Sequence, residues 1–131
     1  MTNKEPLSDF DILMGIEFVG VKGQAAINKL LEERQGHVKE AFYRNDTGEI
    51  DLFWGDDTAG LCHIIKERGK RGTSGLKFVD DLSDVIENGL PFEGKNPNRF
   101  NIALKGKVAV IAFELRGQEV TALLTGFHTR K

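Results

Sequence analysis

Apolar positions recur with two different periods along this chain. From about Val21 to Gln35, Ala25, Ile27, Leu30 and Leu31 fall at helical spacing with charges opposite, and Gly36 closes the run. Val38 to Tyr43 and Glu49 to Trp54 then read as two strands around Asn45-Asp46-Thr47-Gly48, a hairpin signal. A helix is expected over Ala59 to Arg68, capped by Thr58 or Asp57, with Gly69 suited to its C′ position. After a Gly/Lys/Arg/Ser loop, Val79, Leu82 and Ile86 form the buried stripe of a second helix, Lys77 to Asn88, which Gly89 stops.

Gly89 to Asn98, with Pro91 and Pro97, reads as a loop. Three strands follow at Arg99 to Leu104, Lys107 to Leu115 and Glu119 to Phe127, joined by Lys105-Gly106 and Arg116-Gly117. Phe100, Ile102 and Leu104 alternate with Arg99, Asn101 and Ala103, so one face of that strand belongs to the core. The nearly continuous apolar run Val108 to Phe113 fits a central strand covered on both faces. Residues 1–20 lack clear periodicity and read as a linker or a short packing segment, with a helical turn near Asp9 to Met14. The pattern predicts an α+β domain over residues 21–131, with helices packed on one side of an antiparallel sheet.

Composition narrows the class. At 131 residues, 40% apolar and 29% charged, the chain can bury a core without staples. Nothing approaches the roughly 18 uninterrupted apolar residues of a membrane helix, and the acidic start MTNKEPLSDFD does not resemble a signal peptide. The single Cys62 rules out an internal disulfide and is compatible with a reducing compartment such as the cytoplasm.

The net charge of −2 hides an asymmetry. Residues 1–62 hold 6 Lys/Arg against 12 Asp/Glu, a balance of −6, and residues 63–131 hold 12 against 8, a balance of +4. Lys66, Arg68, Lys70, Arg71 and Lys77 form a basic strip broken only by Glu67, with Lys107 positioned to extend it; such a strip either binds phosphate or is solvated surface.

Candidate chemistry gathers on the 59–68 helix. With about 100° per residue, Leu61, Ile64, Ile65 and Arg68 share one side, while His63, Lys66 and Glu67 share the other. His63 lies off the apolar stripe and suits a general acid or base, with Lys66 one turn away; the plain alternative is a helix histidine bonded to a backbone carbonyl. Cys62 points away from His63, so the pair forms no dyad. Thr125, grouped by alternation with Thr121, Leu123 and Phe127, offers a hydroxyl to a phosphate oxygen or is simply a β-former. His128 stands three residues from the end of this sequence, and His37 reads as structural. Gly69 to Gly75 lacks the order of a nucleotide phosphate loop, and no His/Cys/Asp spacing suggests a metal or cofactor site.

Taken together, Trp54-Gly55, Gly60-Leu61-Cys62-His63-Ile64-Ile65, Val85-Ile86 with Gly89, the Arg99-led strand and Leu123-Leu124-Thr125-Gly126-Phe127 resemble the barnase–EndoU–colicin–RelE (BECR) nucleases. The likeness is strongest to their phage and polymorphic-toxin branch and covers about residues 37–128. It implies helices over a four- or five-stranded antiparallel sheet and a metal-independent ribonuclease, inactive on DNA. It makes His63 the motif histidine, Thr125 the motif hydroxyl and Arg99 the anion-binding arginine. Phage members often carry a second histidine a few residues on; here Arg68 and Lys70 stand there, so Lys66, Arg71 or His128 must supply the missing charge or proton. Relatives of this kind imply a toxin acting on RNA, often tRNA, in the cytoplasm of a target bacterium. They are delivered as the C-terminal part of a larger surface or secreted protein, as in contact-dependent growth inhibition, and are neutralised by a cognate immunity protein. A non-catalytic RNA- or protein-binding module, or another phosphodiesterase, would use the same fold.

Overall fold

The computed structural model describes residues 7–72 and 74–129. Helices α1 (Asp9–Met14) and α2 (Gln24–Glu33) precede a hairpin of β1 (His37–Arg44) and β2 (Gly48–Phe53). Helices α3 (Leu61–Lys70) and α4 (Gly75–Asn88) follow, and then β3 (Leu90–Phe92), β4 (Arg99–Leu104), β5 (Lys107–Leu115) and β6 (Gln118–His128). The fold class is the α+β arrangement that the sequence and its family resemblance imply. The sheet has six strands in the order β1-β2-β6-β5-β4-β3, antiparallel except where β2 meets β6 in parallel at Asp51 and Ala122.

One strand lies where a loop was expected. Leu90-Pro91-Phe92 pairs with Asn101 to Ala103 at the edge of the sheet. A proline is tolerated there because an edge strand has one side without a ladder partner.

Two cores cover the two faces of the sheet. On one face Ile27 and Leu30 of α2, Leu61 and Ile64 of α3, and Phe78, Val79, Leu82 and Ile86 of α4 pack on Ile102, Ala109, Ile111 and Leu123. On the other, Leu13 and Met14 of α1 pack with Phe53, Ala59, Ala112, Leu115 and Ala122. Residues 9–14 are thus a packing segment, and the main chain continues the contact: Phe18 N–H donates to His37 O and His37 N–H to Ile16 O. Of the expected linker, residues 1–6 lie outside the described residues.

The alternation read for the last strand breaks in its middle. Val110 pairs with Thr125 but Ile111 with Leu123, so Leu124 is an extra residue in β6, a bulge. Leu123 therefore faces the α2–α4 core while Thr125, paired with Val110, faces the other way; grouping Thr125 with Leu123 is corrected. Gly126 confirms the assignment from the next position: a Cβ there would stand 2.8 Å from the Phe78 ring of α4.

The start of α3 also departs from expectation. Neither Thr58 nor Asp57 caps it. The cap position is Gly60, without any side-chain hydrogen bond. Gly60 adopts φ +91°, and a Cβ there would lie 2.7 Å from the Trp54 carbonyl; at Gly55, φ +76°, it would lie 1.9 Å from the Ala59 carbonyl. These two glycines let residues 54–60 turn back on β2 closely enough for Cys62 N–H to reach Trp54 O at 2.8 Å and Gly60 N–H to reach Leu124 O at 2.9 Å.

Close approach and positive φ can be separated experimentally. Gly48 also has positive φ, +81°, but open space around it. Gly48→Ala should cost about 1–2 kcal/mol from strain alone, whereas Gly60→Ala adds overpacking and should cost about 3 kcal/mol or more. Urea unfolding of the two variants measures the difference; equal costs would mean that the return to β2 does not fix the start of α3.

Candidate active site

The loop between β2 and α3 is built around two adjacent carboxylates. Thr58 donates to Asp56 Oδ1 through its N–H (2.8 Å) and hydroxyl (2.6 Å), and Arg116 Nη2 donates to Asp56 Oδ2 (3.3 Å) and Thr58 Oγ1 (3.0 Å). The Thr58 hydrogen bonds and the Arg116 guanidinium hold the Asp56 carboxyl below its ordinary range. A carboxyl shifted down contributes stability that is present above its ordinary pKa and lost as pH falls through the folded one. The loop is therefore clamped throughout neutral pH.

Asp57 faces α3. Its main-chain carbonyl lies 2.8 Å from His63 Nδ1, and its carboxylate forms an ion pair with Lys66. A carbonyl oxygen only accepts, so in this hydrogen bond Nδ1 carries the proton and the lone pair of a neutral ring sits on Nε2. The Asp57 carboxylate raises the Lys66 pKa. Lys66, one turn from His63, is therefore paired with a carboxylate. Asp57 is the residue the sequence reading missed as a site element: it appeared there only as a possible helix cap.

The remaining candidates do not converge on His63. Thr125 is half-buried on the face away from α2, α3 and α4, although the amide that opens α3 bonds its neighbour Leu124. Arg99 opens β4 opposite Ala112, on the same face as Thr125, and lines a cavity of about 440 Å³ with Phe92, Glu93, Asn96, Pro97 and Phe100. His128 lies on the α4 side, edge-on to Phe78 with centroids 4.9 Å apart. The structure gathers His63 and Lys66 at one place, Arg99 and Thr125 on one sheet face, and His128 at a third location.

The basic strip is reordered by packing. Arg68 was expected to contact RNA, but it is only 8% exposed and its guanidinium lies 5.9 Å from the Phe78 centroid, so it is corrected to a buried residue. Lys70 pairs with Glu67 at 3.3 Å, and Lys107 pairs with Asp81 at 3.4 Å. Arg71 is at the C-cap of α3, and Lys77 is exposed on the first turn of α4. Burial raises the Cys62 thiol pKa, which disfavours a thiolate nucleophile. His37 is buried, with Nδ1 3.2 Å from Met14 O. Among the described residues, no three His, Cys, Asp or Glu side chains are grouped so as to hold a metal ion, and no helix is long and apolar enough to cross a membrane.

A strand-loop-helix unit thus holds a histidine through a loop carbonyl, beside a mixed sheet that carries an arginine and a threonine on its other face. The chain belongs to the family of phage barnase–EndoU–colicin E5/D–RelE-like nucleases (type 1), whose model matches residues 41–127. That span contains His63, Lys66, Arg99 and Thr125 and ends one residue before His128. No curated protein matches the chain. As a member of this family the chain is a nuclease.

The hydrogen bond at His63 makes a direct prediction. In the neutral ring the proton should reside on Nδ1, giving Nδ1 a pyrrole-type and Nε2 a pyridine-type ¹⁵N shift in a long-range ¹H–¹⁵N spectrum. The opposite tautomer would show that the Asp57 carbonyl does not hold the ring.

Proposed function

We propose that this nuclease is an endoribonuclease in which His63 is the proton-transfer group and the 2′-hydroxyl of the substrate is the nucleophile. One observation carries the reading: the Asp57 carbonyl engages Nδ1, and among the described residues no hydrogen bond engages Nε2. A structural histidine would make the same bond to a carbonyl. A general base additionally needs an available Nε2, and the half-buried His63 has one.

The step proceeds as follows. Nε2 takes the proton from the 2′-hydroxyl, the 2′-oxygen bonds to the adjacent phosphorus, and the bond from phosphorus to the 5′-oxygen breaks. The 5′-oxygen takes a proton from solvent, leaving a 2′,3′-cyclic phosphate and a 5′-hydroxyl end. Lys66 exchanges the Asp57 carboxylate for an oxygen of the reacting phosphate, whereas Arg99 and Thr125, on the opposite face of the sheet, contact a more distant part of the RNA. Groups that hold the growing negative charge contribute roughly 2–4 kcal/mol each by comparison with deletions of oxyanion-binding donors.

The family's phage and toxin associations support a further reading: a toxin directed at tRNA, delivered as the C-terminal part of a larger protein into the cytoplasm of a target bacterium. An acidic immunity protein would meet the cationic positions Lys66, Lys70, Arg71 and Lys77, and its association would weaken with salt.

Cleavage of total tRNA, followed on gels, tests the chemistry. His63→Ala should reduce the rate by roughly 10²-fold or more while lowering stability by only about 1 kcal/mol, the value of one net hydrogen bond. The wild-type chain should cleave in EDTA and spare an all-DNA substrate. Unaltered cleavage by His63→Ala, or activity only on addition of Mg²⁺ or Zn²⁺, would overturn the mechanism. Harmless expression of the active wild-type chain alone would count against the toxin reading.

A further inference from the structure

His128 borders a cavity of about 250 Å³ between the start of α4 and the ends of β5 and β6, lined by Ser74, Lys77, Phe78, Asp81, Lys107 and His128. We infer that this cavity is an oxyanion subsite that takes a second backbone phosphate of the RNA strand cleaved at His63. The inference rests on the endoribonuclease reading for the identity of the strand, and on the cavity itself for the anion.

Four elements bring cationic groups to this place. Lys77 comes from the first turn of α4, Lys107 and His128 are cross-strand partners in β5 and β6, and Arg68 of α3 lies beneath them against the Phe78 ring. The register that pairs Lys107 with His128 puts both side chains on one face of the sheet. Phe78 meets the imidazole edge-on, at an interplanar angle of 73°, and limits its orientation.

One carboxylate, Asp81, opposes these groups, and it is paired with Lys107 at 3.4 Å. The lining therefore carries an excess of positive charge even while His128 is neutral. Ser74 Oγ accepts the Lys77 N–H at 3.2 Å, so its hydroxyl hydrogen is free to donate to an anion. Arg68, which lies against the same Phe78 ring that lines the cavity, follows His63 by five residues on α3, a rise of about 7.5 Å and a turn of about 140°, so a strand joining the two places passes around the C-terminal end of that helix. In this arrangement His128 binds phosphate and His63 transfers protons.

The imidazole of His128 is faced by Arg68 from α3, Lys77 and Asp81 from α4, and Lys107 from β5. Burial, followed by the Arg68 and Lys107 charges, lowers its pKa. An anion in the cavity must oppose that shift. By linkage, an anion that raises the His128 pKa binds more tightly as pH falls and the ring protonates.

The probe is inorganic sulfate, which does not titrate in this range, added at constant ionic strength to the full chain carrying His63→Ala. The NMR signals of the His128 ring should shift saturably and its pKa should rise. Lys77→Gln with Lys107→Gln should weaken sulfate about tenfold or more, while Lys107→Arg should stay within about threefold and so distinguish lost charge from lost fold. Signals that respond no more than to matched chloride, or a double variant that binds within about twofold of its parent, would overturn the subsite.

A kinetic arm links the subsite to RNA. With His63 intact, Lys77→Gln should raise KM on an oligoribonucleotide about fivefold with kcat within about twofold, and the penalty should shrink on a dinucleoside monophosphate, which has no second phosphate. The log–log salt slope should become shallower by about 0.7 for the lost contact. Sulfate binding without any RNA cleavage would leave an oxyanion site and remove the nuclease mechanism. His63-dependent cleavage with an unresponsive His128 and unchanged KM would do the reverse.

Discussion

The hydrogen bond from the Gly60 amide to the Leu124 carbonyl, 2.9 Å long, ties the start of α3 to the middle of β6. It requires two local irregularities that meet. On one side Gly55 and Gly60 adopt positive φ so that the loop can fold against β2; on the other, the bulge in β6 makes Leu124 an extra residue in its ladder with β5. Both irregularities also determine where chemical groups point. The glycine return places His63 within reach of the Asp57 carbonyl, and the bulge turns Thr125 away from the helices. Packing and site geometry therefore depend on the same contact.

Charge in this chain is partitioned by pairing more than by sequence position. Lys66, Lys70 and Lys107 have carboxylate partners in Asp57, Glu67 and Asp81, and Arg68 is buried against an aromatic ring. Binding of a nucleic-acid strand by such lysines is an exchange reaction, in which a phosphate replaces a carboxylate at an exposed lysine. Exposed ion pairs stabilise a fold by only about 0–1 kcal/mol, so the exchange sacrifices little. The paired lysines can serve a polyanion without forming an unrelieved positive patch in the free protein.

Helices α2 and α4, most of the sheet and the position of His63 off its apolar stripe were legible because they rest on local periodicity. Three features were not. The edge strand β3 is three residues long with Pro91 in its centre, which is also the composition of a loop. The bulge at Leu124 leaves no mark in a run of apolar residues, so strict alternation misassigned the face of Leu123 relative to Thr125. The role of Asp57 was hidden because it acts on His63 through its main chain, and any residue has a carbonyl there. The buried state of Arg68 could have been read, since the helical wheel already grouped it with Leu61, Ile64 and Ile65.

Part of the cover of this sheet lies outside the residues that match the family. Helix α1 precedes that span, yet its Leu13 and Met14 cover Ala112 and Ala122 on the sheet face that also carries Arg99 and Thr125. In register, Arg99, Ala112, Ala122 and Asp51 form a row across β4, β5, β6 and β2, so α1 lies over the middle of that row. The next row, Asn101, Val110 and Thr125, continues toward Phe92 and the exposed Phe127. Arg99 and Thr125 stand beside α1, on the part of this face toward β3. The N-terminal segment thus limits this face by burial: it covers the apolar patch between Arg99 and Asp51 and leaves the row of Asn101, Val110 and Thr125 beside it.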